Sequence, residues 1–81
     1  MQFTICFYSY FKDLTGCAQA TEILSDGKTL GDLFDKLVVR FPKLEGLQMS
    51  VLMAVGVEYQ SRSYVLKPGD EVSLFPPVQG G

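Results

Sequence analysis

The residues best suited to chemistry in this 81-residue sequence stand at its C-terminus, where Val78-Gln79-Gly80-Gly81 follow Pro76-Pro77. A free carboxylate is a poor electrophile. Activated by ATP as an acyl-adenylate, the Gly81 carbonyl carbon becomes open to attack by a sulfur donor, and the product is a thiocarboxylate. Such activation requires the last residues to thread a narrow channel in another enzyme, and glycine suits this because it lacks Cβ and tolerates φ of either sign. Gly-Gly at a chain end is also what a frayed terminus looks like. The functional reading gains from Pro76 and Pro77, placed directly after a core strand. Neither has an N–H for ladder pairing and both have a fixed φ, so the arm should leave the sheet extended.

The side chains offer little competing chemistry. There is no histidine, so the usual general base at neutral pH is missing and no Ser/His or Cys/His pair can be built. Cys6 and Cys17 are not in a CxxC arrangement and read as free thiols, and two cysteines without histidine fall short of a zinc site. The formal charge is −2 and the seven Lys and Arg are scattered, which argues against a nucleic-acid partner. The longest apolar stretch, Val51–Val57, is far below the ~20 residues of a membrane span, and the N-terminus lacks a signal-peptide pattern. A cytoplasmic protein with no membrane partner is expected.

The elements that must carry the arm can be read from periodicity. A chain of this length holds one domain, and with 47% apolar residues it has enough to fill a core. Residues 2–8 alternate, with Phe3, Ile5 and Phe7 on one face, as in a half-buried strand. A helical turn at Tyr10–Leu14 ends at Gly16, and Ala18–Leu24 reads as a second strand closed by Ser25-Asp26-Gly27. Leu30, Leu33, Phe34, Leu37, Val38 and Phe41 form one helical stripe, with Thr29 as N-cap, Asp32 completing a weak capping box and Pro42 as the stop. After a loop at Lys43–Gln48, Val51–Val55 has the continuous apolar character of a central strand. Glu58–Ser61 can form a short edge strand, Lys67-Pro68-Gly69-Asp70 a turn, and Glu71–Phe75 a last strand with Val72 and Leu74 inward. The order is β-β-α-β-(β)-β, an α+β chain with a 1–75 domain and a 76–81 tail.

Pro68-Gly69-Asp70-Glu71-Val72 followed by Leu74-Phe75-Pro76-Pro77-Val78-Gln79-Gly80-Gly81 resembles the C-terminal signature of the MoaD family, the small subunit of molybdopterin synthase. The likeness runs over essentially the whole chain, including Lys12-Asp13-Leu14-Thr15-Gly16. It implies a ubiquitin-like β-grasp fold: a mixed four- to five-stranded sheet, one main helix across it, and a flexible C-terminal tail. It further implies that Gly81 is adenylated by a MoeB-like, E1-type enzyme, receives sulfur from a donor, and passes it to cyclic pyranopterin monophosphate in a MoaE-like large subunit. Pro76, Pro77, Val78, Gln79 and Gly80 would line the inserted tail. The resemblance implies no cofactor bound by this chain, ATP being used by the activating enzyme, and a sulfur-donating subunit more than a catalyst. Many relatives carry Asn where this chain has Gly56, which bears on any partner contact of that side chain.

If the first and last strands are neighbours, Tyr8 and Phe75 share the outer face, with Tyr59 near them on the edge strand. Exposed aromatics beside the arm are candidate docking anchors, against the plainer reading that single exposed aromatics are common. Lys12, Arg62 and Lys67 read as solvated charge, and Cys6 as a small apolar filler. Two rivals share the Gly-Gly end. One is a ThiS-like carrier for the thiamine thiazole, which lacks the Phe75–Val78 run; the other is a ubiquitin-like or Urm-like protein modifier.

Overall fold

The computed structural model describes residues 1–77. Its elements follow the expected order: β1 (Gln2–Phe7), α1 (Tyr10–Thr15), β2 (Gln19–Ile23), α2 (Leu30–Arg40), a 3₁₀ turn (Pro42–Leu44), β3 (Leu52–Val55), β4 (Glu58–Tyr59) and β5 (Glu71–Phe75). The five strands form one mixed sheet in the order β2-β1-β5-β3-β4. The pair β1–β5 is parallel and the remaining pairs are antiparallel. With one main helix packed over one face, this is the ubiquitin-like β-grasp arrangement.

The alternation in β1 does what its period requires. Phe3, Ile5 and Phe7 are fully buried, and they share a single core with Leu30, Leu33, Phe34 and Leu37 of α2, Val72 and Leu74 of β5, and Met53 of β3. The start of α2 is closed by a complete capping box. The Asp32 N–H donates to the Thr29 hydroxyl at 3.2 Å, and the Thr29 N–H donates to the Asp32 carboxylate at 2.9 Å. The next two N–H groups, of Leu30 and Gly31, donate at 2.9 Å to the carbonyls of Tyr64 and Arg62. The first turn of the helix is thereby tied to the segment that leads into β5.

Two expectations are corrected. The stretch expected as a loop from Lys43 begins inside the 3₁₀ turn Pro42–Leu44, and Leu44 is fully buried. Proline suits the first position of such a turn because its missing N–H would have no partner there. The central place in the sheet belongs to β5, and β3 lies one strand from the edge, flanked by β5 and the two-residue β4. Its continuous apolar run has another cause. Met53 faces the helix, while Leu52 and Ala54 face outward opposite Phe75 and Tyr59.

Glu22 is a buried acid that the strand pattern alone does not explain. It lies on the helix-facing side of β2, 3.0 Å from Arg40 and 3.6 Å from Lys36 on α2. The same two side chains donate to the Thr21 and Ile23 carbonyls of this edge strand. The buried charge is thus compensated, and two outward carbonyls of an open sheet edge are occupied.

Candidate functional site

β5 ends at Phe75, and Pro76-Pro77 follow it directly. The turn before β5 fixes where it starts: Gly69 has φ 85°, and the Asp70 carboxylate accepts from the Lys67 N–H at 2.8 Å and the Tyr64 hydroxyl at 3.0 Å. That gives the Pro68-Gly69-Asp70 sequence a structural duty in setting the register of the strand that carries the arm.

From there the register puts three aromatics together. β1 and β5 run in parallel with Cys6 opposite Ser73 and Phe7 opposite Leu74, and the Tyr8 N–H extends the ladder by donating to the Leu74 carbonyl at 3.1 Å. Tyr8 and Phe75 therefore emerge side by side on the face away from α2. Their rings stack, with centroids 4.7 Å apart and planes 7° from parallel. Across β3, Tyr59 meets the other side of the group, its ring edge-on to Phe75 at 6.2 Å. Tyr8 is 45% and Tyr59 64% exposed, so the cluster offers an open aromatic surface at the root of the arm. Both geometries lie within the favourable range for aromatic pairs.

Of the sequence-predicted site residues, the structure brings Tyr8, Tyr59 and Phe75 together and sets Pro76 and Pro77 next to them. Val78, Gln79, Gly80 and Gly81 lie outside the described residues. Cys6 sits on the same sheet face with its thiol 3.9 Å from the Glu71 carboxylate. Burial, and next the Glu71 charge, push that thiol above its ordinary pKa, which disfavours the thiolate a sulfur relay would need. Arg62 is engaged with Asp35 at 3.1 Å, and Lys67 lies over the Tyr64 ring. Gly56, at the β3–β4 hairpin, has φ 61°, a conformation open to both Asn and Gly.

One residue of the site escaped the sequence reading. Ser9, between the stacked Tyr8 and helix α1, has φ 55° and ψ −136°. Serine carries no signal for positive φ, and only the two elements it joins require it.

The profile of the ThiS family matches residues 5–81. This chain belongs to the ThiS family. A fellow sequence, the molybdopterin synthase sulfur carrier subunit of Arabidopsis thaliana, is 30% identical over 81 residues, spanning 100% of this chain and 84% of its own length. Among solved structures, SAMP1 of Haloferax volcanii has the same fold, with a TM-score of 0.88 at 24% identity and full coverage of both chains. The fold also recurs in the complex of subunits 1 and 2 of the molybdopterin-converting factor of Helicobacter pylori, with a TM-score of 0.68 at 21% identity and full coverage of both chains. The ThiS family match runs through Gly81, so it includes the whole Pro76–Gly81 segment.

Proposed function

We propose that this ThiS-family chain is the sulfur carrier subunit of a molybdopterin synthase. The observation that carries the reading is the full-length similarity to a subunit of that name, 30% identical over all 81 residues. The site agrees with it in kind: an arm that starts at an aromatic surface is built to be handed to other proteins.

In this reading a MoeB-like, E1-type enzyme binds the aromatic surface and takes the arm. A Gly81 carboxylate oxygen attacks the α-phosphorus of ATP, pyrophosphate leaves, and an acyl-adenylate forms. Sulfur at the hydrosulfide level, supplied by a donor, attacks the acyl carbon, AMP leaves, the S–H proton is lost, and the thiocarboxylate remains. The arm then enters a MoaE-like large subunit, where the sulfur passes to cyclic pyranopterin monophosphate. Glycine at positions 80 and 81 keeps side chains away from the reacting carbon. The Phe75-Pro76-Pro77-Val78 run favours this pathway over thiazole synthesis.

Intact-mass measurement of the protein isolated from cells tests the reading. Replacement of one oxygen by sulfur is expected, together with co-purification of a pterin-binding large subunit. Higher-mass conjugates at lysines would identify a protein modifier instead, and a terminus that stays a plain carboxylate in cells making molybdopterin would exclude the carrier role.

A further inference from the structure

The chain passes from β1 to α1 within two residues, Tyr8 and Ser9. Tyr8 is still bonded to β5 through Leu74, while Phe11, three residues on, is fully buried and donates its N–H back to the Tyr8 carbonyl at 3.1 Å. Between these fixed points stands Ser9, the one non-glycine residue at positive φ among the described residues. That region is unfavourable for any residue with a Cβ, and such strain persists only where the surroundings over-determine it. The Ser9 side chain makes no capping bond to α1 while its carbonyl accepts the Lys12 N–H at 3.1 Å, so the conformation is set by the backbone that joins β1 to α1 and not by a side-chain cap.

The turn has a clear product: the Tyr8 ring lies flat on Phe75, which also forms a T-shaped pair with Tyr59. Phe75 is the last residue of β5, and the next two residues are prolines with fixed φ. A change in how Phe75 is held is therefore passed to the arm with few free torsions to absorb it. We propose that Ser9 is a positioning residue: its turn seats Tyr8 on Phe75 and so sets the direction in which the Pro76-Pro77 arm leaves the sheet. The inference rests on the reading that the arm carries the reacting carboxylate, for which a misplacement of about 1 Å can cost about a hundredfold in rate.

A docking role for Tyr8 needs apolar area; a positioning role needs the stack. Tyr8→Leu separates them, since it keeps the first and loses the second. The experiment compares wild type, Ser9→Val, Tyr8→Leu and Tyr8→Phe. It records ¹³Cα relaxation at Pro76 and Pro77 in the free carrier, and then adenylation rates with a MoeB-type enzyme over a range of carrier concentrations. Ser9→Val and Tyr8→Leu should make Pro76 and Pro77 more mobile, while Tyr8→Phe, which retains the stack, should leave their relaxation as in wild type. Tyr8→Leu should lower kcat for adenylation by about tenfold or more with KM unchanged. Should Ser9→Val fail to fold, Tyr8→Leu decides alone. Wild-type relaxation at Pro76 and Pro77 in Tyr8→Leu overturns the proposal, as does a raised KM with kcat retained. A wild-type carrier that is never adenylated defeats the carrier reading, and the relaxation data still decide for or against Ser9.

Discussion

If Gly81 carries the reacting carboxylate as proposed, deleting it should displace the terminal carboxyl carbon by about 3.5 Å along an extended chain, out of reach of the ATP and of the pterin that the proposal assigns to the partners. Since every strand among the described residues is complete by Phe75, the thermal midpoint should stay close to that of wild type while thiocarboxylate formation is lost. Gly80→Val should behave alike through exclusion from the partner's channel, and mass analysis with a melting curve reads both. Phe75→Asp should leave the fold intact and weaken binding to the large subunit or the activating enzyme, measurable by calorimetry; unchanged affinity would remove the aromatic surface from the docking model. Tyr8 and Phe75 were legible as a pair because strand parity puts them on one face once the first and last strands are neighbours, as the family resemblance implies; Tyr59 was placed only near them, on the edge strand. Ser9 was not legible, since its φ of 55° is imposed by Tyr8 and Phe11 on either side and serine does not announce it. Glu22 was hidden for a related reason: its burial depends on Lys36 and Arg40, cations that arrive from a helix far along the chain.

At the scale of elements, α2 holds the sheet in shape, and its stripe was readable because six apolar residues repeat at helical spacing. Phe34 is fully buried against that sheet, so Phe34→Ala should cost about 3–5 kcal/mol in chemical denaturation. A loss well under 1 kcal/mol would show that the helix packs by another face. The cap of the same helix gives a pH dependence. The Thr29 N–H, and next its hydroxyl, hold the Asp32 carboxyl below its ordinary value of 3.8. A depressed carboxylate pKa adds stability above 3.8 that is lost as pH falls through the folded-state value. Asp32→Asn should therefore melt below wild type at neutral pH, and the gap in midpoint should close below pH 3.8. The 3₁₀ turn Pro42–Leu44 was not legible, because three residues are too few to show a period.

For the molecule as a whole, the sequence carried the order of the elements but not their order in space. Nothing in the composition of Glu71–Phe75 tells that this last strand takes the middle of the sheet, since burial there comes from neighbours on both sides. The parallel β1–β5 pair joins strands from the two ends of the described chain, so no smaller part has a complete core. A chain ending at Asp70 should give the circular dichroism of an unfolded peptide, while the intact protein should unfold in one transition seen alike by all probes. The same central placing governs what happens when the arm is pulled. Tension on Pro76 runs along β5, which is bonded to β1 on one side and β3 on the other. Both ladders then bear the load in shear, many bonds at once, where an edge strand would unzip one bond after another. An enzyme can haul on the arm, and the strand at its root acts as a mechanical anchor for the rest of the fold.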